Sequence, residues 1–263
     1  MSVHAHIKKE KLGEMIIQAG IASPIDIDHA LQAQQVFGGT LGTNLVEAGI
    51  IDDEALAVFL SKQTGIEKVE KAELANIEQS TLDLIPFQAA QQLSLIPLLI
   101  ENSTLTVAMA DPTDTRVIEK VQEKLGIKLY PKIAPEFTIH MALKKYYQIP
   151  LSPRISRLLH HQNQQQKENN TPLRRCLDQH ISSGETVEFF FTSIQSLSAI
   201  PLASPIKDIT SYTLTPELIF MFQQIDGVST ISDMIQMSVF GKLETLRALV
   251  YLHKIGFVFF DER

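Results

Sequence analysis

Apolar residues recur at helical spacing in two stretches that say nearly the same thing. In KLGEMIIQAGIASPIDIDHALQAQ, Lys11 to Gln34, Leu12, Met15, Ile16 and Ala19 share one helix face, and the pattern stops at Gly20, a helix C-terminus signal. Ser23 then offers an N-cap with Pro24 at the first helical position, and Ile27, Ala30 and Leu31 carry the next stripe. After five residues, TLGTNLVEAGIIDDEALAVFLSKQ, Thr40 to Gln63, repeats the scheme. It runs through Leu41, Leu45 and Gly49, takes Asp52 as cap, and continues with Leu56, Phe59 and Leu60. The offset of 29 residues predicts four helices in two copies of one hairpin.

Beyond Glu73 the periodicity changes. A helix is expected around Thr81–Gln92, followed by two apolar strands flanking a turn at Glu101-Asn102-Ser103. An amphipathic helix over Thr113–Leu125, a strand over Lys128–Ala134 and a helix over Glu136–Tyr147 complete a small mixed unit. The run His160–Thr171 is polar and rich in Gln and Asn, and reads as a linker. The last ninety residues predict three helices, TPELIFMFQQIDG, TISDMIQMS and KLETLRALVYLHKIG, and a terminal strand FVFF. That order suggests a winged helix-turn-helix. VEFFF, Val187–Phe191, is expected as a second aromatic strand. The fold class is therefore α+β: a four-helix repeat plus a small mixed α/β unit over 1–150, a polar linker over 151–171, and a winged-helix-like module over 172–263.

Composition narrows the function classes. Net charge is −7, shared as −6 over residues 1–150, +2 over 151–171 and −3 over 172–263. None of these segments has the basic excess that neutralising nucleic-acid phosphates demands. The third C-terminal helix offers only Lys242, Arg247 and Lys254, which read as a solvated face. No apolar run reaches the roughly 18 residues of a membrane span. The first fifteen residues lack the apolar core of a signal peptide, and a single cysteine, Cys176, fits a reducing compartment. A cytoplasmic protein is expected. The loop of phosphate-cleaving ATPases, G-x-x-x-x-G-K-[ST], has no counterpart, since GKLE at Gly241 lacks its first glycine and its hydroxyl residue. No nucleophile elbow or metal-ligand cluster is present, so no catalytic residue, cofactor or metal is assigned.

Each copy places Leu-Gly at a helix start and Gln at the end of its second helix. A glycine there permits close backbone approach, and free amides at a helix N-terminus favour an anion. Leucines offer a flat apolar surface to a base, and Gln34 or Gln63 can donate and accept together at a base edge. A hairpin duplicated to pack against itself explains the leucines equally well.

The doubled pattern resembles the MshEN domain, the cyclic di-GMP receptor at the N-terminus of many type II secretion and type IV pilus assembly ATPases. That family's signature is Arg-Leu-Gly-x-x-Leu-x-x-x-Gly followed by Leu, Leu and Gln, written twice with five residues between. Here the first copy supplies Leu12, Gly13, Ile16, Gly20, Ile27, Leu31 and Gln34. Leu41, Gly42, Leu45, Gly49, Leu56, Leu60 and Gln63 answer in the second. The resemblance covers roughly residues 8–148, with LTVAMADPTD also matching. It implies a cyclic di-GMP site at these positions, with Thr43 beside the second Leu-Gly, Lys9 as a further basic contact and Asp111 as an acceptor for a guanine edge. The motif arginine is replaced by Lys11 in the first copy and Thr40 in the second, which keeps the charge once and the planar fork not at all. Asp111 can also act as a helix N-cap before Pro112.

The reading is a non-enzymatic receptor that passes the cyclic di-GMP signal to a protein partner through residues 172–263. Secretion or pilus machinery is the expected context. An adaptor that has lost the ligand is the alternative, and a winged-helix transcription regulator is the third.

Overall fold

The computed structural model describes residues 10–168, 171–204, 212 and 214–261, with the backbone alone over 161–168. The repeat folds as α1 (Leu12–Gln18), α2 (Pro24–Phe37), α3 (Leu41–Glu47) and α4 (Asp53–Thr64). Its copies share hydrogen bonds as well as residues. The Gly20 N–H donates to the Ile17 carbonyl at 2.9 Å and Ile21 to Ile16 at 3.2 Å; 29 residues on, Gly49 donates to Val46 at 3.0 Å and Ile50 to Leu45 at 3.1 Å. Gly20 and Gly49 have φ of 70° and 68°, the left-handed geometry that ends each first helix. Ser23 and Asp52 cap α2 and α4 as expected, accepting from Asp26 at 3.2 Å and Ala55 at 3.0 Å.

The remaining motif glycines serve packing. A Cβ on Gly13 would lie 2.9 Å from Ile27, and one on Gly42 would lie 3.0 Å from Leu56. In both hairpins the two helices approach each other over a glycine.

The mixed unit contains α5 (Gln79–Leu82), α6 (Phe87–Gln92), β1 (Leu95–Glu101), β2 (Thr104–Met109), α7 (Thr115–Leu125), β3 (Lys128–Ile133) and α8 (Glu136–Tyr147). The single helix expected over Thr81–Gln92 is two, because Pro86 disfavours helical geometry at Ile85 and caps α6 instead. The sheet order is β1-β2-β3. β1 and β2 form an antiparallel hairpin whose turn residues Asn102 and Ser103 have φ of 48° and 58°. β3 lies parallel to β2, reached through α7.

Most of the stretch read as a polar linker, over residues 153–168, is helical. α9 (Pro153–Glu168) starts with proline and buries Ile155 and Leu158. Gln, Lys and Glu are good helix formers, so two apolar anchors suffice to hold it on the body.

The C-terminal elements are α10 (Pro172–His180), α11 (Ser183–Phe189), a π-helical turn over Phe190–Ile194, β4 (Ile200–Ala203), α12 (Pro216–Gln223), α13 (Ile231–Met237), α14 (Lys242–Lys254) and β5 (Val258–Asp261). VEFFF is helical, not a strand. Ser182 and Glu185 form a capping box that starts α11 through it. The strand paired with β5 is β4, which lies upstream of α12, and among the described residues no hairpin follows α14. Among the described residues there is thus no wing, and the winged-helix expectation is not confirmed.

Two hydrophobic cores result, and they cut the chain differently from the expected limits. One belongs to the mixed unit; the other joins the repeat to the C-terminal helices. α4 packs on α11, with the Phe59 and Phe191 rings edge to face at 5.5 Å and the Ser183 hydroxyl donating to Asp52 at 2.6 Å. Leu197 and Ile235 close over Gly20. No helix among the described residues is long and apolar enough to cross a membrane.

Candidate functional site

A cleft of about 590 Å³ opens between the second copy of the repeat and the mixed unit. Its volume is that of a small-molecule site. From the repeat come Leu12, Gly39, Thr40, Leu41, Gly42, Thr43, Leu56, Leu60 and Gln63; opposite stand Gln92, Leu93, Ser94, Met109, Ala110, Asp111, Asp114, Val117, Pro135 and Glu136. One wall is thus leucine-rich and the other carries carboxylates.

The two copies are not equivalent here. Thr40, Leu41, Gly42, Thr43, Leu56, Leu60 and Gln63 of the second copy all reach the cleft, with Leu12 of the first and Asp111. Ile16 and Ile27 are buried in the core shared with the C-terminal helices, as is Leu45 of the second copy. Gly13 packs on Ile27, and Gly20 and Gly49 end helices rather than line the cleft. Leu31 is exposed on α2, and Lys11 is exposed at the start of α1. Gln34 spends its amide on the Gly39 carbonyl at 3.1 Å, whereas Gln63 reaches the Glu10 carbonyl at 3.4 Å. Lys9 lies outside the described residues.

Thr40 explains its own departure from the motif. Its hydroxyl oxygen accepts from the Thr43 N–H at 3.1 Å and lies 2.9 Å from the Thr43 hydroxyl, so it is the N-cap of α3. An arginine cannot do this. Thr43 in turn donates to Glu136 Oε2 at 2.7 Å, tying α3 to the first turn of α8. Asp111 uses Oδ1 to accept from the Thr113 N–H at 3.0 Å and the Thr113 hydroxyl at 2.5 Å. The N-cap of α7 is Asp114, not Asp111.

Two contacts hold the walls. The Thr138 hydroxyl on α8 donates to Asp53 Oδ2 on α4 at 2.6 Å, while Asp53 Oδ1 is buried without a partner. Desolvation pushes this carboxyl up to about 6, against the pull of the Thr138 bond. On α9, Arg154 grips Glu47 at 2.6 and 2.7 Å, the Phe37 carbonyl at 3.0 Å and Asn44 Oδ1 at 3.0 Å. The Glu47 bonds raise the guanidinium's already high pKa. Its Nη1 would lie 2.6 Å from a Cβ on Gly39, so the joint between the copies is clamped against the cleft rim.

Sequence reasoning missed Glu136, Asp114 and the Gln92–Ser94 turn. Each lies outside the repeat and reaches the cleft only through the packing of the mixed unit. Among the described residues no group of three or more His, Cys, Asp or Glu is placed to hold a metal ion. Of the three cations of α14 expected on a solvated face, Lys242 and Lys254 remain partly exposed, Arg247 is buried, and all three are paired. Lys242 pairs with Asp26 at 3.1 Å and Lys254 with Glu185 at 3.2 Å. Arg247, only 4% exposed, pairs with Asp178 at 2.8 Å and also donates to the Ile181 carbonyl at 2.6 Å.

Comparison with known proteins agrees with the resemblance. The type IV pilus assembly ATPase PilB of Myxococcus xanthus is 28% identical over 137 residues, which are 52% of this chain and 24% of the relative. PilB of Thermus thermophilus is 27% identical over 143 residues, 54% of this chain and 16% of that one. The match therefore spans about a quarter or less of these ATPases. A solved structure of MshE with cdg is 27% identical, covering 52% of this chain and 99% of that one, at a TM-score of 0.43. The family match itself falls on the mixed unit and the start of α9, while the relatives align over a longer stretch. Over residues 68–153 this chain matches the family model of the MshEN domain.

Proposed function

We propose that this protein is a non-enzymatic cyclic di-GMP receptor of the cytoplasm that binds one nucleotide in the cleft and passes the signal to a protein partner through its C-terminal module. The observation that carries the reading is the convergence of Leu12, Thr40–Thr43, Leu56, Leu60, Gln63 and Asp111 on one cleft beside the stretch that matches the MshEN domain. Leucine faces suit a base, and Asp111 suits its edge. The relatives' names make pilus assembly the natural setting for the partner.

One observation favours the second reading, an adaptor without ligand. The cleft lining holds Asp111, Asp114 and Glu136 and no Lys or Arg among the described residues, a poor field for a dianion. Calorimetric titration with cyclic di-GMP separates the two. It requires the full chain, because the repeat shares its core with the C-terminal helices and a fragment ending at residue 150 would expose that core. A saturable isotherm at one ligand per chain supports the receptor; no heat at high micromolar ligand supports the adaptor.

A further inference from the structure

The polar lining of the cleft divides into groups already committed and groups still free to act. Asp114 spends both oxygens on Arg116, receiving from its Nε at 3.2 Å and its Nη2 at 3.4 Å. Asp111 and Glu136 are each half-committed. Asp111 uses Oδ1 within its own turn, and Glu136 uses Oε2 to accept from Thr43. Asp111 Oδ2 and Glu136 Oε1 receive no hydrogen bond from any described residue.

Glu136 is held more firmly than a rim carboxylate normally is. It occupies the first position of α8, where the helix end favours a negative charge. The relay Thr40–Thr43–Glu136, at 2.9 and 2.7 Å, fixes one oxygen and leaves the other its lone pairs. The Asp53–Thr138 bond then pins α8 to α4, which supplies Leu56 and Leu60 to the facing wall.

A carboxylate oxygen accepts only, so its ligand must bring N–H or O–H donors. A leucine wall requires those donors on the edge of a flat apolar ring. Guanine presents N1–H and N2–H₂ side by side on one edge. Adenine places an acceptor where guanine has N1–H, which a carboxylate repels. With no Lys or Arg among the described lining residues, the lining favours the donors of a base edge over phosphate oxygens.

We propose that Glu136, positioned by Thr43, is a guanine-edge acceptor of this cleft and, with Asp111, sets its selectivity for guanine over adenine. The inference rests on the cyclic di-GMP reading of the cleft. Glu136 lies outside both copies of the motif.

The test is calorimetry on the full chain with cyclic di-GMP and cyclic di-AMP, for wild type, Glu136→Gln and Thr43→Val. Wild type should prefer cyclic di-GMP. Glu136→Gln keeps the shape and an acceptor for Thr43 but removes the charge, and should lose roughly 10- to 100-fold in cyclic di-GMP affinity. Its preference over cyclic di-AMP should shrink by a similar factor, a ratio that a general loosening of the fold does not move. Thr43→Val should shift the ratio in the same direction by less. Glu136→Gln binding cyclic di-GMP as well as wild type, or more tightly as a carboxylate opposing phosphate would give, overturns this inference and leaves the receptor standing. A wild-type chain that binds neither dinucleotide overturns both.

Discussion

Thr40→Arg restores the residue that the motif leads one to expect, and the structure sets two opposing effects. Thr40 caps α3 through the Thr43 N–H at 3.1 Å and touches the Thr43 hydroxyl at 2.9 Å. Losing an N-cap costs about 1 kcal/mol. A cation at a helix N-terminus adds roughly 0.3–1 kcal/mol more. In a chain of this size each kcal/mol lowers the melting temperature by about 2–4 °C. Thr40 is exposed, so the guanidinium has no burial penalty to meet. On the other side of the balance, the new cation stands at the rim of a cleft whose lining is acidic. One charge-assisted hydrogen bond to a ligand phosphate contributes about 1.5–3 kcal/mol, or roughly 10- to 100-fold in affinity.

The variant should therefore melt a few degrees lower without ligand yet bind cyclic di-GMP more tightly. Differential scanning calorimetry reads the first effect and isothermal titration the second. Because the gain is Coulombic, it should fall between about 50 mM and 500 mM salt, where the Debye length drops below the reach of the side chain. Unchanged affinity in a folded variant would mean that position 40 does not face the phosphates. A gain indifferent to salt would mean that the arginine acts by some other route.

Other perturbations follow from single contacts. Arg247→Ala should destabilise the chain by about 2–4 kcal/mol, since it strips the Ile181 carbonyl of its donor inside a core; Lys242→Ala, which opens a half-exposed pair with Asp26, should lose under about 1 kcal/mol by urea denaturation. Asp53 has a folded-state pKa of about 6, above its ordinary 3.8, so the folded chain keeps a proton that the unfolded chain gives up. Stability should therefore fall as pH rises from about 4 to 6, by at most about 3 kcal/mol; Asp53→Asn should flatten that slope in chemical denaturation, and an identical slope would assign it to other groups. Gly20→Ala meets both φ of 70° and Leu197 at 2.9 Å, and should lower stability by about 1–2 kcal/mol. The C-terminal module, in a chain whose α14 cations are all paired, should give no salt-sensitive shift of mixed-sequence duplex DNA at micromolar protein.

The repeat was legible because everything that defines it is local. Caps, glycine stops and apolar spacing act over four or five residues, so Ser23, Gly20 and their partners at Asp52 and Gly49 declare their roles in the chain itself. The hairpin at Asn102-Ser103 and the three helices α12 to α14 were readable for the same reason. VEFFF was not. Its aromatics favour a strand in isolation, but the Ser182–Glu185 capping box starts a helix ahead of them, and Phe191 then finds Phe59 on α4. The polar run His160–Thr171 failed differently: composition suggested nothing to bury in it, and two buried residues just ahead of it, Ile155 and Leu158, seat the helix that continues into it.

The candidate site divides along the same line. Spacing within the repeat identified Leu41, Gly42, Leu56, Leu60 and Gln63, all on one local scaffold, and all of these reach the cleft. It could not reveal that the first copy turns Ile16 and Ile27 into a core shared with helices two hundred residues away. Nor could it find Glu136, which meets Thr43 across 93 residues of chain. These two long-range facts belong together. The second copy meets both the mixed unit and the C-terminal helices, so α4 carries Leu56 and Leu60 into the cleft lining and Phe59 against Phe191, just past α11. A side chain that shifts on one face of so short a helix cannot leave the other unmoved, because packed interiors transmit displacement. The duplicated hairpin is thus one body with two uses: its second copy lines most of the repeat's side of the cleft, and both copies hold the C-terminal helices, through Phe59 and Asp52 in the second and Gly20 and Asp26 in the first.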